Sequence, residues 1–307
     1  MRGVKTKPGI LSRSNPFRSI ARRAWRATSV RSDVLIAQLD RRVALLEDLA
    51  EVESRLRTVE PDILAALAPV QHPDLRLERI GSEFDGGYVL PTAFVESATG
   101  VVSIGVGDNN DADVALASRG LRVHAWDHTV RGLPKVHESI TFHRVGVAAI
   151  AQPPQLATLE RIVTESFGSQ ANNLLLLMDA EGAEWDVFAS ISDEALAHFS
   201  VISLELHGLG DAMLVGSGIL HTLSRLRTML VPVVVHPNNH GASWCSPNFV
   251  LPDALEVTYV RGDLLPDGYR EGNCPDWLMA PCCPDLPDLR MNWLADTELG
   301  RTHGERQ

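Results

Sequence analysis

Cysteine is scarce: Cys245, Cys274, Cys282 and Cys283 are the only four in 307 residues, and no two stand in a CxxC pair. That spacing argues against a zinc knuckle. The adjacent Cys282 and Cys283 are awkward to bridge. Reduced thiols and a cytoplasmic setting are therefore expected, with a disulfide among the last three cysteines as the alternative. No apolar run approaches the roughly 20 residues of a membrane span. The N-terminus has charge but lacks the apolar core of a secretory signal. Acidic residues are missing altogether from positions 1–32, which hold nine of the 28 Lys and Arg residues. The other 19 basic residues face all 39 acidic ones, a balance of −20. A body that acidic is a poor nucleic-acid binder, because phosphate contacts dominate such affinity. No nucleic-acid partner is expected, and a small or neutral ligand is.

What is present is ordinary for a globular chain, with 45% hydrophobic and 22% charged residues and length for one large or two small domains. Residues 1–32 form a basic, disordered tail, or in part an interfacial helix. In the second reading Phe17, Ile20, Ala21, Ala24 and Trp25 share one face, and the arm touches anionic lipid peripherally. The segment also has the Arg-rich, acid-poor character of a transit peptide. Residues 33–70 are a helical extension. Ile36, Leu39, Val43, Leu46 and Ala50 make a short heptad seam, which serves for packing or for a homodimer.

Residues 71–263 alternate strands with helices, which implies an α/β fold with a mostly parallel sheet and helices on both faces. Val101–Ile104 reads as a strand, Gly105–Asp108 as a glycine turn, Asp113–Arg119 as a helix, and Leu121–Trp126 as a strand ending at Asp127. Glycine lets backbone approach a ligand closely, and a carboxylate at Asp127 is placed for a ribose diol. The dinucleotide fingerprint GxGxxG needs a third glycine at position 110, where Asn110 stands instead. Its absence, with Asp108 where phosphates would lie, argues against a dinucleotide. S-adenosyl-L-methionine carries no phosphate and has an ammonium that favours a nearby carboxylate. Further strands are expected at Ile140–Val147, Asn173–Met178, Val201–Leu206 and Val231–His236, the last an edge or strand start because of its proline. Phe249–Leu251 and Leu255–Val260 would close the sheet. Gln155–Phe167, Asp186–Ile191 and Leu220–Leu230 are expected helices. Residues 264–307 are an irregular wrap and tail.

Sites in such folds lie at the carboxyl ends of the strands. Asp179 and Glu181 end one strand, and Glu205 and His207 end the next. Four ionisable groups gathered there point to chemistry, since burial of unpaired charge is costly. Two chemistries fit. One is a general base that takes a hydroxyl proton. The other is a divalent metal held by Asp179, Glu205 and His207. Asn238, Asn239 and His240 offer groups suited to a polyhydroxy substrate, and Trp185 and Trp244 are candidate pocket walls. Strands at Leu77–Ile80 and Tyr88–Leu90, joined by Asp85, Gly86 and Gly87, form a hairpin that leans over the cofactor mouth with Asp85 or the glycine backbone touching the ligand.

Taken together, RIGSEFDGGYVL, SIGVGDNNDADVALASRGLRVHAWDHT, MDAEGAEWDVF, ISLELHG and NFVLPDALEVTYV resemble the FkbM-type methyltransferases and their DGGY-bearing relatives, over roughly Leu75 to Asp263. The resemblance implies a class I methyltransferase (Rossmann-like) fold with a seven-stranded sheet, S-adenosyl-L-methionine as cofactor, and O-methylation of a sugar or polyketide hydroxyl. By position, Gly105, Gly107 and Asp127 match the cofactor motifs, and Asp179, Glu181 and Glu184 match D-x-E-G-x-E. His207 falls in the segment after the next strand. Asn109 replaces a glycine common in the class I turn. The leading expectation is an O-methyltransferase acting on a glycan, glycolipid or secondary metabolite. The alternatives are a nicotinamide-dependent oxidoreductase or epimerase, and a non-catalytic scaffold with this fold.

Overall fold

The computed structural model describes residues 62–63, 65–209, 218–241, 243–246, 249–272 and 276–289. The basic arm, the heptad helix and the membrane or dimer roles expected of them lie outside the described residues. Among those described, no helix is long and apolar enough to cross a membrane.

The strands are β1 (Val70–Gln71), β2 (Leu77–Gly81), β3 (Gly87–Pro91), β4 (Gly100–Ile104), β5 (Val123–Trp126), β6 (Ile140–His143), β7 (Gly146–Val147), β8 (Leu156–Ala157), β9 (Leu174–Asp179), β10 (Phe199–Leu206), β11 (Leu230–Pro237), β12 (Ser243–Ser246), β13 (Phe249–Pro252), β14 (Leu255–Arg261) and β15 (Arg270–Glu271). Seven of them make one sheet in the order β11-β14-β10-β9-β4-β5-β6. All its pairings are parallel except those of β14, which runs antiparallel to β10 and to β11. The expected α/β architecture with a mostly parallel sheet is therefore present. The chain steps outward from β4 to β5 and β6, then crosses back to β9 and β10. Between β4 and β9 the winding reverses, and a crevice opens there at the strand ends.

The sheet buries both faces, which is why β9 is an unbroken apolar run. Leu174, Leu176 and Met178 point into one core with Val102, Ile104, Ile162, Phe188 and Leu223. Leu175 and Leu177 point into the other with Val101, Leu116, Val89 and Leu90. This is the two-residue alternation of a strand. Helices Leu159–Phe167, Glu184–Ser190 and Gly218–Arg227 supply the first core, and helix Asp111–Ser118 and the β2–β3 hairpin the second. Thr258 Oγ1, buried in β14, donates to the Val89 carbonyl at 2.9 Å and accepts from Ser203 Oγ at 2.9 Å. That chain of hydrogen bonds fixes the hairpin over the sheet.

The structure departs from the sequence-based expectations in several places. The strand expected at Ile140–Val147 is broken. The His143 carbonyl accepts from both Asp127 N and Val145 N, which ends β6. Gly146–Val147 then pairs with Leu156–Ala157. That short strand takes the first residues of the helix expected from Gln155, so the helix starts at Leu159, capped by Thr158. Phe249–Pro252 does not join the main sheet but pairs with Ser243–Ser246, a partner close in sequence and so cheaper to close entropically. Pro232 sits on the edge strand as expected, at a register irregularity. The wrap after Leu264 is irregular apart from short pieces, one of which, β15, pairs with β1. Cys282 and Cys283 are both free thiols.

Asp113 is buried in the first turn of its helix. Burial pushes its carboxyl up to about 6 from 3.8, and a hydrogen bond from Ser103 offsets this only in part. The folded state thus favours the neutral acid. Its contribution is complete below the unfolded value near 3.8 and is lost as pH rises through about 6. Asp113→Asn, neutral at every pH, is expected to match the wild type near pH 4 and to be more stable by about 3 kcal/mol near pH 8. Urea denaturation at both pH values measures the difference, and parallel curves for the two proteins would refute it.

Candidate functional site

The site begins at the turn after β4. Gly105 has φ +80°, and a Cβ there would stand 1.5 Å from the Asp179 carbonyl oxygen. The two neighbouring strand ends are pressed together, and only a residue without a side chain fits between them. Asp127, at the end of β5, holds the turn open. Its Oδ2 accepts from Val106 N and Gly107 N, both at 2.9 Å, and its Oδ1 accepts from the Thr129 amide and hydroxyl. A carboxylate has about four acceptor positions, so this one is fully engaged. Burial works against its charge, but the donations from Thr129, Gly107 and Val106 prevail and hold its pKa below the usual range. The sequence placed Asp127 at a ribose. The structure lines the cavity with it while using its oxygens to shape the glycine turn.

The β2–β3 hairpin closes over this turn. Arg79 donates to the carbonyls of Ser82 and Phe84, tying its loop. Gly86, at φ +76°, lies so close to Asn109 that a Cβ would meet its Nδ2 at 2.5 Å, and Asn109 Nδ2 donates to the Asp85 carbonyl at 2.8 Å. Asn109 thus joins the hairpin to the turn where a glycine was expected. Asn110 is buried, and its amide exchanges two hydrogen bonds with the Lys135 backbone. Between hairpin, turn and sheet lies a cavity of about 320 Å³. Of the sequence candidates, Asp85, Gly86, Gly105, Gly107, Asp108, Asp127, Asp179 and Glu181 line it. Gly87 does not. It belongs to β3 and faces the Ser82 carbonyl, which a Cβ would meet at 2.0 Å.

One strand over, the expected acid–histidine group is assembled. Register pairs Glu205 with Asp179 across β10 and β9. His207 Nε2 lies 3.7 Å from Asp179 Oδ1, 3.5 Å from Glu205 Oε1 and 3.7 Å from Glu181 Oε2. Its Nδ1 lies 3.5 Å from Glu184 Oε1. Glu184 is wholly buried and accepts from Ala180 N and Gly182 N, which shapes the turn in which Glu181 takes φ 51°. Trp185 Nε1 donates to the His207 carbonyl at 2.6 Å, so this tryptophan anchors the cluster. Burial opposes the charge on His207, but Glu184 and Glu205 more than offset it and hold its pKa well above the usual imidazole value. Burial first, and then Glu205, push Asp179 up. Asp179, Glu205 and His207 each bring one donor atom within 4.8 Å of the others, a set able to hold a metal ion.

The expected substrate residues make hydrogen bonds within the chain. Asn238 Nδ2 donates to Glu205 Oε1, and its Oδ1 accepts from His240 N. Asn239 donates to the carbonyls of Cys283, Leu286 and Pro287 and accepts from Cys283 N. It clasps the C-terminal wrap, while the His240 side chain is exposed. The side chain of Trp244 lies outside the described residues. Tyr88, His128, Thr129, Gly146 and Val147 also line the cavity, and the sequence reading missed them. Tyr88 had a signal, since it follows the DGG turn by one residue. Gly146 had none, because its place beside His128 arises from the break after β6. No protein-family model matches the chain, and no curated protein matches it significantly.

Asp127→Ala leaves the Val106 and Gly107 N–H groups without an acceptor, and is expected to cost about 3 kcal/mol of stability. Asp127→Asn should lose a comparable amount despite its size, because one amide position would present a donor to donors. Since the folded pKa lies below the unfolded one, the wild-type advantage is present above the unfolded value and fades as pH falls through the folded value. Thermal melts from pH 3 to 8 read this out, and an Asn variant as stable as the wild type at pH 7 would contradict the clamp.

Proposed function

We propose that the protein is an S-adenosyl-L-methionine-dependent O-methyltransferase acting on a hydroxyl of a sugar, glycolipid or secondary metabolite. The observation that carries this reading is the charge of the cavity. Among the described residues, five carboxylates (Asp85, Asp108, Asp127, Asp179 and Glu181) and no Lys or Arg line it. A pyrophosphate there would meet like charge on every side. A ligand with a sulfonium and an ammonium would meet opposite charge. The size agrees, since about 320 Å³ is at the small end of ligand pockets and suits a nucleoside with a short appendage better than a dinucleotide.

The topology supports the same reading. The sheet strands counted along the chain run 3-2-1-4-5-7-6. The dinucleotide-binding order is 3-2-1-4-5-6, and here an antiparallel seventh strand is inserted. Asn110 also puts a buried side chain where the dinucleotide turn requires glycine. In the proposed reaction the acceptor oxygen forms a bond to the methyl carbon. The carbon–sulfur bond breaks in line, and its electron pair stays on sulfur. The hydroxyl proton passes to a carboxylate of the Asp179, Glu181 and Glu205 group. The enzyme's main task is to align the two reactants and assist deprotonation.

S-adenosylhomocysteine is expected to raise the melting temperature and NAD to leave it unchanged. Labelled donor should pass methyl groups to a component of a glycan and lipid-extract panel. His207→Ala is expected to lower turnover at least about 100-fold with S-adenosylhomocysteine affinity retained. Stabilisation by NAD alone would favour an oxidoreductase, and cofactor binding with no methyl transfer to any acceptor would favour a scaffold.

A further inference from the structure

We propose that Asp179, Glu205 and His207 hold one small divalent cation of the Mg²⁺ or Mn²⁺ class, and that the acceptor chelates it through two neighbouring hydroxyl oxygens. The acceptor half of this proposal rests on the methyltransferase reading, and the cation half does not. The three donor atoms lie within 4.8 Å of one another. Two carboxylates and one imidazole form a set dominated by hard oxygen, which suits such ions. The carboxylates come from paired positions on adjacent strands, so the sheet itself presents them side by side.

The surroundings orient each donor. His207 turns Nδ1 toward Glu184 and Nε2 toward Asp179 and Glu205. A metal-bound histidine commonly has a carboxylate behind its other nitrogen. Glu184 is wholly buried and held by two backbone N–H groups, so it is fixed in that position. Asn238 donates to Glu205, and Trp185 pins the backbone of His207. Asp179 Oδ1 is buried and has no hydrogen-bond donor. Its nearest charged neighbour, His207 Nε2, is 3.7 Å away, beyond hydrogen-bond reach, and a buried oxygen without a partner leaves room for a cation between them.

Three protein donors leave about three positions open on a six-coordinate ion. Two adjacent open positions match the spacing of a vicinal diol. The carboxylates lining the cavity would repel a phosphorylated or carboxylated acceptor, so the acceptor class is a neutral diol. A hydroxyl on the cation loses its proton more readily. The proton goes to Glu181, whose exposed side chain lies 3.7 Å from His207 and can pass it to water. The resulting oxygen anion supplies the electron pair that bonds the methyl carbon, and the carbon–sulfur pair leaves on sulfur.

Titrating the full-length protein with Mn²⁺, without cofactor, and following the spectrum of free Mn²⁺ by electron paramagnetic resonance tests the cation site. One bound Mn²⁺ per chain is expected. Glu205→Gln and His207→Gln should each weaken it at least about tenfold while S-adenosylhomocysteine still binds by calorimetry. Asn238→Ala keeps all three donors, frees Glu205, and should give a smaller loss. Catechol, a two-oxygen probe, should alter the bound Mn²⁺ signal where phenol does not. No bound Mn²⁺, or binding indifferent to the Glu205 and His207 variants, would overturn the site. Equal effects of catechol and phenol would overturn the chelation. Mn²⁺ binding without S-adenosylhomocysteine binding would sink the methyltransferase reading and leave the cation site standing.

Discussion

The turns after β4 and β9 meet at Gly105, where the backbone lies against the Asp179 carbonyl with no room for a methyl group. Everything at the strand ends depends on that contact. It sets how near Asp179 stands to the glycine turn, and so how near a ligand in the turn stands to the acid–histidine group. It can exist only because β4 and β9 are neighbours, paired in parallel from Gly100–Leu174 to Ile104–Met178. Asp127 then braces the turn from the far side through β5. A cavity between two strand ends is thereby framed by backbone, and backbone in a central sheet moves little.

The carboxylates around this cavity need stabilisation, and the fold provides it without lysine or arginine. Glu184 and Asp127 are satisfied by backbone N–H groups and Glu205 by an asparagine amide. At Asp127 these neutral donors favour the charged form without bringing positive charge to the site. The hairpin over the mouth is equally fixed, by Asn109 at its tip and by Thr258 beneath it. The cavity they frame is lined by five carboxylates and, among the described residues, by no Lys or Arg.

Much of the fold is legible in the chain because its cause is local or periodic. The buried strand at Leu174–Asp179 announces itself as a run of apolar residues, and the β4 unit as strand, glycine turn and acid. The breaks were hidden. Nothing near Val145 says that the His143 carbonyl would accept two N–H groups and end the strand. Phe249–Pro252 has the composition of a sheet strand, but its partner is a neighbour in sequence. The candidate site was legible to a similar degree. Asp179, Glu205 and His207 were found by their places at strand ends. The tasks of Asn238, Asn239 and Trp185 were not, since each depends on a partner distant in sequence.

By itself, the sequence determined the class of the fold and the residue types available at the strand ends. Periodicity of two and of about 3.6 residues, with glycine and proline punctuation, fixes strands and helices wherever they occur. Only the tertiary structure decided what each polar group does. It made Asp127, which also lines the cavity, the clamp of the glycine turn, Asn239 a clasp for the C-terminal wrap, and Glu184 the support behind His207. The physical reason is that a hydrogen bond is short and directional. Its partner is set by which strands lie side by side and which turns meet, and that is settled only when the whole sheet closes.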